Sequence, residues 1–450
     1  MDQNRGFISN FFDFAGNKTS LKTELVAGLT TFVTMAYIII VNPLVLAGEN
    51  SGTGMDFGAV LSATCFASGI STLLMGLISN YPFALAPGMG LNAFFTYTLC
   101  GSMGLNWQTA LGVVFISGCF ALIVTLTNLK RIAIKAIPAH LKVAVTAGVG
   151  LFISFIGFTN SGIITANSAT IIGIGDFSDP KVLLAVIGLI ICSVLVIRKI
   201  PGSLLIGIFA TTVIGLFIAD PATGNPVTSF QPGTYGIFNS MPSLAPTAFQ
   251  LDIADALQFS LIIPIFSLFF VDFFDTIGGF VGIASKAGMI DKNGDLKNGG
   301  RALMLDSCGT IIGSLLGTSN TTTYIESAAG VNAGGRTGLT SVVVALCFFA
   351  APFLSPLFIS VPAAATSPAL IIVGVMMCFS LNQIDWSGEF TAIPCILTIV
   401  MMPFTYSIAA GMAFGFISYV LLAVLTGRYR QVHWLMYILS VLFALYFLVL

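Results

Sequence analysis

The sequence contains very little charge. Only 8% of its 450 residues are Asp, Glu, Lys or Arg, while 56% are hydrophobic and the mean hydropathy is +0.99. Soluble domains carry about 25% charged residues, so this composition excludes an ordinary soluble fold. The chain is therefore predicted to be an all-α polytopic membrane protein that crosses the lipid bilayer many times.

Residues used in metal, redox and nucleic-acid chemistry are also scarce. The chain has two histidines, His140 and His433, and each lies beside basic residues. Its eight cysteines form no CxxC pair and lie almost wholly in apolar stretches, which is typical of buried free thiols. No basic run with interleaved aromatic residues indicates nucleic-acid binding. We therefore expect no catalytic residues, no metal site, no cofactor and no nucleic-acid partner.

Long apolar runs dominate the sequence instead. A membrane-spanning helix needs about 20 apolar residues, and seven candidate segments lie on each side of a polar stretch at 220–256. The predicted segments are 25–46, 58–79, 83–101, 108–128, 142–160, 182–198 and 203–219, then 258–282, 302–316, 318–335, 338–359, 363–381, 390–406 and 408–426. The C-terminal segment, 428–450, contains a further apolar run from residue 432, and the sequence leaves open whether this run spans the membrane.

The distribution of basic residues supports this arrangement. Lys and Arg accumulate on the cytoplasmic side of membrane proteins. If residues 1–22 are cytoplasmic, Lys181 is the only one of the 17 basic residues that falls on the outer side. The 220–256 loop contains no Lys or Arg and also falls outside. We therefore expect a multi-pass protein of the cytoplasmic membrane with a cytoplasmic N-terminus.

The two halves of the chain, 23–219 and 257–427, have the same order of segments. Each has two long helices, a short Gly-rich irregular segment and four further helices. Because seven is an odd number, the second half enters the membrane from the opposite side, as in the inverted repeats of many transporters. A solute site is then expected near the midplane, where the irregular segments 83–101 and 318–335 meet.

Few acidic residues lie within the predicted membrane segments. Asp272 and Asp275 share one helix face because they are three residues apart. Glu326 lies in the irregular tenth segment, and Asp306, near the start of the ninth, is a weaker candidate. A charged group at this depth costs at least ~2.5 kcal/mol, so it usually lines a cavity or contacts a ligand. Carboxyl groups without a basic partner also suit proton coupling, which we assign to Asp275, Asp272 and Glu326.

Other side chains of the irregular segments complete the candidate site. Asn92 can donate and accept hydrogen bonds, the Phe94 ring can stack on a flat solute, and Tyr324 precedes Glu326 by two residues. This set suits a neutral, planar, amide-like solute, because the acids would repel an anion. The alternatives are core or lipid packing for Phe94, either side-chain direction for Tyr324, water or helix capping for the eighth-segment acids, and a surface loop for 318–335.

Three motifs stand out in the third, eighth and tenth segments: APGMGLNAFF (86–95), FVDFFDTIGG (270–279) and TTTYIESAAGVNAGGRTGLT (321–340). They resemble those of the AzgA-like purine permeases, which are nucleobase:cation symporters of the xanthine/uracil permease family, and the resemblance covers nearly the whole chain. It implies 14 transmembrane segments as 7+7 inverted repeats, core and gate domains, and short strands in segments 3 and 10. It also implies uptake of adenine, hypoxanthine or guanine with H+ by alternating access, and a homodimer formed through the gate domain.

The resemblance also implies roles for individual residues. Glu326 matches the acid that binds the base, Asn92 matches the third-segment asparagine, and Asp275 with Asp272 match acids that serve binding and proton coupling. Related members differ at the Asp272 position, which makes Asp275 the better supported of the two. The alternatives left open are a carrier of the same fold for xanthine, uracil or an anion, a membrane enzyme, and a sensor that does not transport.

Overall fold

The computed structural model of the chain describes residues 6–48, 51–127, 136–221, 224–229, 240–287, 289 and 299–449. Two loops that the sequence places on the cytoplasmic side, at 128–135 and 290–298, lie outside these residues, and so does part of the 220–256 loop.

Helices make up most of the described chain. Those of the first half are α1 (Phe7–Phe11), α2 (Leu21–Met35), α3 (Ile38–Ala47), α4 (Phe57–Leu74), α5 (Met89–Ala93), α6 (Trp107–Leu126), α7 (Ala139–Asn160), α8 (Pro180–Ile197) and α9 (Ser203–Gly215). Those of the second half are α10 (Ile253–Ala256), α11 (Ile262–Ala287), α12 (Gly299–Leu316), α13 (Ser327–Asn332), α14 (Gly338–Ala350), α15 (Ser355–Ile359), α16 (Ala363–Cys378), α17 (Glu389–Phe404), α18 (Ile408–Leu425) and α19 (Trp434–Val449). Wider π-helical turns continue α4 over Met75–Ser79 and α5 over Phe94–Ser102. Short 3-10 turns occupy Phe259–Leu261, Ala351–Leu354, Phe379–Gln383 and Tyr429–Gln431.

Long apolar helices confirm the multi-pass prediction. Among the described residues, nine helical stretches are long and apolar enough to cross a bilayer. They are Leu21–Ala47, Phe57–Ser79, Trp107–Leu126, Ala139–Asn160, Pro180–Ile197, Phe259–Ile277, Gly338–Ile359, Ala363–Gln383 and Ile408–Leu425. Shorter apolar helices include α9, α17 and most of α19. The count of fourteen segments stays a prediction.

Polar residues begin several of these helices. The Asp56 side chain caps α4 by accepting a hydrogen bond of 2.7 Å from the Ala59 N–H. The Ser407 hydroxyl caps α18 in the same way, by accepting from the Ala410 N–H at 3.2 Å. Such side chains satisfy N–H groups that have no partner within the helix. In α8 a capping aspartate is followed by Pro180, whose missing N–H costs nothing at the first helical position.

Two pairs of short strands interrupt the helical pattern. β1 (Leu85–Pro87) and β4 (Thr321–Thr323) pair antiparallel, with Ala86 opposite Thr322 at the centre. This pair lies in the third and tenth segments, so the strands implied by the resemblance are confirmed. β2 (Ile164–Asn167) and β3 (Ile171–Ile174) form a hairpin between α7 and α8, which sequence reasoning did not predict.

The first predicted helix, 25–46, is broken in the structure. A turn at Ala36 and Tyr37 separates α2 from α3. Pro43 lies inside α3 and has no N–H to donate to the preceding turn, so this short helix is weakened further. The apolar run continues through the turn, and hydropathy therefore does not reveal the break. This break directs the Tyr37 side chain towards the tenth segment.

The helices pack in two groups that interleave the repeats. In the core group, α2, α3, α4 and α6 pack with α11, α12, α13 and α14. In the gate group, α7, α8 and α9 pack with α16, α17 and α18. Each group combines corresponding segments of both halves, as inverted repeats do. This division agrees with the core and gate domains that the resemblance implies.

The C-terminal helix α19 packs on the bundle. The Ser440 hydroxyl donates a hydrogen bond of 3.0 Å to the Phe416 carbonyl of α18. The rings of Phe416 and Phe443 meet edge to face, with centroids 5.7 Å apart. Met436 and Phe443 are buried. The sequence left the placement of this segment open, and the structure places it against α18 and α11.

Within the gate group, α7 and α16 approach each other at the level of the backbone. A Cβ atom on Gly374 would lie 2.2 Å from the Gly150 carbonyl oxygen, and one on Gly150 would lie 2.6 Å from the Gly374 carbonyl oxygen. In membranes, close van der Waals packing drives helix association, and small residues make such packing possible. The two glycines therefore set the distance between these helices.

Gly374→Val is expected to prevent this packing. The new side chain would overlap backbone atoms, which cannot move aside, so the cost exceeds the ~1–3 kcal/mol of ordinary overpacking. The measurement is thermal unfolding in detergent together with the yield of monodisperse protein. Gly388→Val is the matched control, because a Cβ atom at Gly388 meets nothing within 4 Å. Equal stability of the two variants would contradict the prediction.

Candidate functional site

The two irregular segments meet at the β1–β4 pair, as the sequence predicts. Beside the strands, the Gly88 N–H donates to the Asn320 carbonyl and the Tyr324 N–H donates to the Ala84 carbonyl, both at 2.9 Å. Non-helical backbone at membrane depth must find such partners inside the protein. Residues 318–323 are all buried, so the alternative of a surface loop is wrong for this part of the segment.

Glu326 immediately precedes α13, close to the end of β4. Its side chain is half-buried, and its Oε1 accepts a hydrogen bond of 2.7 Å from the Tyr37 hydroxyl. Tyr37 is only 1% exposed, so packing fixes the donor. Among the described residues, no other side chain donates a hydrogen bond to this carboxyl group. One carboxyl oxygen is therefore held by the protein, and the other can accept from a ligand.

Asp272 and Asp275 of α11 have different surroundings. Asp272 is 2% exposed, and its Oδ2 accepts from the Thr310 hydroxyl at 2.9 Å and from Asn320 Nδ2 at 3.2 Å. Its Oδ1 has no partner in the described part of the chain. Asp275 is half-buried, and no described residue forms a hydrogen bond with its carboxyl group. Asp275 is therefore the more available of the two for a solute.

Asp306 is more central than its sequence position suggests. It is 4% exposed and accepts from the N–H and the hydroxyl of Thr323, both at 2.8 Å, and from the Thr276 hydroxyl at 2.7 Å. The Thr322 hydroxyl donates a longer bond of 3.4 Å. α12 begins at Gly299, earlier than the predicted 302, so this acid lies about two turns inside the helix. Asp306 fixes β4 to α11.

The remaining candidates bind protein groups. The Asn92 Oδ1 accepts from the Ser319 hydroxyl, while its Nδ2 has no partner among the described residues. The Tyr324 hydroxyl donates to the Pro87 carbonyl at 2.5 Å, so this side chain faces β1. Phe94 is buried in the main apolar core. Asn92 and Tyr324 therefore tie the two irregular segments together, and Phe94 supports them by packing.

Four carboxyl groups share this region. Asp272 lies close enough to Asp306 and Asp275 for the negative charges of these carboxylates to repel one another. The same holds for Asp275 and Glu326. In the described chain none of the four forms an ion pair. The guanidinium of Arg336, ten residues after Glu326, donates to backbone carbonyl groups of its own segment. Such a site favours a solute that donates hydrogen bonds and disfavours an anion.

Metal binding receives no support from the described residues. No three His, Cys, Asp or Glu side chains among them are placed to hold a metal ion.

Glu24 of α2 is a buried acid that sequence reasoning misses. It accepts hydrogen bonds from the Arg336 N–H at 3.0 Å, the Thr337 N–H at 3.3 Å and the Thr340 hydroxyl at 2.6 Å. These bonds hold the start of α14, which directly follows the tenth segment. An acid in the first turn of a helix looks ordinary in sequence, and its partners are more than 300 residues away.

Comparison with known families gives a clear match. The family model Xan_ur_permease, described as Permease family, matches residues 22–445. The chain is 44% identical over 448 residues to the guanine/hypoxanthine permease PbuG of Bacillus subtilis, covering 98% of this chain and 99% of that protein. It is 41% identical over 440 residues to the adenine permease AdeQ of Escherichia coli, covering 98% and 96%. A putative permease of Methanocaldococcus jannaschii is 49% identical over 441 residues, covering 98% of both chains.

Solved structures share the fold at low sequence identity. The transmembrane domain of a cyanobacterium bicarbonate transporter, BicA, superposes with a TM-score of 0.63 at 16% identity, covering 87% of this chain and 97% of that one. The murine Solute Carrier 26 family member A9 anion transporter, in the inward-facing state, gives a TM-score of 0.65 at 12% identity, covering 95% and 73%. These similarities concern the fold alone.

Asp306→Ala is expected to destabilise the protein. The Thr323 N–H and the hydroxyls of Thr323 and Thr276 would lose their acceptor, and each buried unsatisfied group costs about 1–3 kcal/mol. Thermal unfolding in detergent measures the loss. Asp255→Ala is the control, because Asp255 is an exposed acid in α10. If both variants unfold at the same temperature, Asp306 does not fix β4.

Proposed function

This chain belongs to the xanthine/uracil permease family, and on that premise we propose that it takes up purine nucleobases together with protons by alternating access. The cargo would be adenine, hypoxanthine or guanine, and the proton gradient would supply the energy. The observation that carries the proposal is the half-buried Glu326 carboxyl group, which Tyr37 holds near Asp275.

Purine chemistry suits this pair of acids. A carboxylate accepts hydrogen bonds at two oxygens, and a purine base carries ring and exocyclic N–H donors on its edges. Glu326 has one oxygen held by Tyr37, and Asp275 makes no hydrogen bond with the described residues. The relatives PbuG and AdeQ are named for guanine/hypoxanthine and adenine, which supports a purine cargo.

The repulsion between the acids supports proton coupling. When Asp275 and Glu326 are both charged they disfavour each other, and a shared proton or the N–H groups of a bound base relieve this. Asp272 lies next in the same cluster and offers a second place for the proton. We therefore assign the coupling proton to the set Asp275, Asp272 and Glu326. Binding of base and proton then favour each other.

Alternating access follows from the two helix groups. The β1–β4 pair, Glu326, Asp272 and Asp275 all belong to the core group, so the whole site can move as one body against the gate group. Transporters with inverted repeats expose a midplane site to each side in turn by such a motion. The proposal includes a cytoplasmic N-terminus in the cytoplasmic membrane and a homodimer formed through the gate group.

A different cargo in the same fold is the second candidate. Xanthine and uracil also present planar amide edges, and competition experiments separate them from the purines above. An anion is disfavoured, because the acids of the site have no ion-pair partner in the described chain. The anion carriers with this fold are under 25% identical and do not bear on the cargo of this chain.

Uptake of labelled bases tests the proposal. Cells that lack their own base permeases would express the wild type, Glu326→Gln or Glu389→Gln, the last altering an exposed glutamate in the first turn of α17. We expect saturable uptake of a purine that a protonophore abolishes, that Glu326→Gln loses and that Glu389→Gln keeps. Unlabelled adenine, hypoxanthine, guanine, xanthine and uracil as competitors then rank the cargoes. Full activity of Glu326→Gln, or no purine uptake by well-expressed wild type, would contradict it.

Tyr37→Phe separates positioning of Glu326 from folding. The ring stays, so packing is kept, but the hydroxyl bond to Glu326 is lost. A hydrogen bond to a charged group contributes about 1.5–3 kcal/mol, so kcat/KM for the base is expected to fall by roughly tenfold or more. Tyr437→Phe is the control, because its hydroxyl donates to a backbone carbonyl far from the site. Unchanged uptake kinetics in Tyr37→Phe would show that this bond has no role in transport.

A further inference from the structure

A cavity lies outside the candidate site. It has a volume of about 890 Å³ and is bounded by the last turn of α3, the end of α7, the start of α8 and residues 359–367. Small-molecule sites typically have about 300–1,000 Å³. On the topology predicted from the basic residues, all these helix ends face the outside of the cell. The cavity is therefore in position to receive a solute that arrives from outside.

The base of this cavity, formed by Tyr97 and Asn160, is a seam between the third segment and the gate group. Tyr97 lies on the π-helical continuation of α5, and its hydroxyl accepts a hydrogen bond of 3.1 Å from Nδ2 of Asn160, the last residue of α7. Both residues line the cavity. The neighbouring Thr98 hydroxyl donates to the Tyr406 carbonyl of the gate group at 3.0 Å. Because β1 ties the third segment to β4 of the core group, movement of the core group against the gate group must break or rearrange these bonds.

The cavity base lies one helical turn from the candidate site. Val41 lines the cavity and follows Tyr37, the partner of Glu326, by four residues along α3. One turn of α-helix rises about 5.4 Å. Tyr97 likewise follows Asn92 by five residues, along α5 and its π-helical continuation. Along both segments, the cavity therefore lies about one turn from residues of the candidate site.

The chemistry of the cavity suits a flat neutral solute. Tyr97 offers an aromatic face and a hydroxyl, and Asn160 offers an amide that donates and accepts hydrogen bonds. Of the three charged residues in the wall, Lys181 and Asp220 form an ion pair of 3.0 Å, so their charges offset each other, and the Asp56 carboxylate caps α4. An incoming amide edge can replace the bond between Tyr97 and Asn160 with two bonds of its own. Its binding then offsets the cost of opening the seam.

We propose that this outer cavity is a second binding site for the purine base, in which Tyr97 and Asn160 recognise the solute before it reaches Glu326. The inference rests on the proposed function for the identity of the solute. The base would bind between the Tyr97 hydroxyl and the Asn160 amide, and it would enter the central site when the core and gate groups separate there. Neither residue belongs to the acid cluster of the central site.

Cysteine modification tests the outer site independently of transport. Leu44 lines the cavity and is half-buried, so Leu44→Cys places a thiol in its wall. A membrane-impermeant thiol reagent is added from outside, and the parent chain with its native cysteines gives the blank. We expect modification of Leu44→Cys that adenine or hypoxanthine slows. Ala363→Cys, at an exposed position of the same wall, is the second probe if Leu44→Cys does not fold.

Three further substitutions, made in the Leu44→Cys background, locate the protecting base. Asn160→Ala is expected to raise the purine concentration for half-maximal protection about fivefold, the factor for one lost neutral hydrogen bond. Asn382→Ala, at an exposed asparagine beyond α16, is the control. It should need the same purine concentration for half-maximal protection as the parent. Glu326→Gln should lose transport but keep protection.

The outcomes separate this inference from the proposed function. Protection that disappears in Glu326→Gln would mean that the base binds only at the central site, and it would overturn the outer site. No modification of either probe from outside, or no protection by a saturating base, would overturn it as well. Protection without purine uptake in any chain, including the wild type, would contradict the proposed function while supporting the outer site.

Discussion

The pairing of β1 with β4 is the constraint on which the rest of the structure depends. Six residues of non-helical backbone lie at membrane depth, where every unsatisfied N–H or carbonyl is costly. Each strand supplies backbone hydrogen-bond partners for the other, and the Tyr324 hydroxyl donates a further hydrogen bond to the carbonyl of Pro87, the last residue of β1. Neither irregular segment is stable without its partner from the other repeat. The candidate site is therefore a joint product of both halves, with Asn92 from one and Glu326 from the other.

A run of hydroxyl groups explains how several buried acids coexist without basic partners. Asp306 is surrounded by donors from Thr276, Thr322 and Thr323, and Asp272 by donors from Thr310 and Asn320. These neutral donors stabilise carboxylates without adding positive charge. The half-buried acids, Glu326 and Asp275, have fewer such partners and stay available to a solute. The neutral donors thus distinguish the two acids that the protein itself holds, Asp306 and Asp272, from the two that are more available to a solute.

The sequence predicts the framework of this site better than its contacts. Hydropathy and the basic loops predict the segments and place the acids of α11 inside the membrane, and the family resemblance implies the strands. They do not predict that Tyr37 holds Glu326, because the two residues are 289 positions apart and the Tyr37 turn lies in an unbroken apolar run. Glu24 was missed and Asp306 was ranked too low for the same reason, since their roles come from hydrogen-bond partners in other segments. The residue types can be read from the sequence, but their hydrogen-bond partners depend on how the two repeats interleave.

The strand pair also affects how the chain is made. The bond between Tyr324 and Pro87 joins residues 237 positions apart, so β1 leaves the ribosome long before its partner exists. During that interval the third segment cannot rest in hydrocarbon with its backbone satisfied, and insertion machinery or neighbouring helices must shelter it. Such long-range contacts form late and slow the folding of a chain. If the two halves were synthesised as separate chains, each would likewise lack its partner strand. Each half could finish folding only after the two halves associate within one membrane.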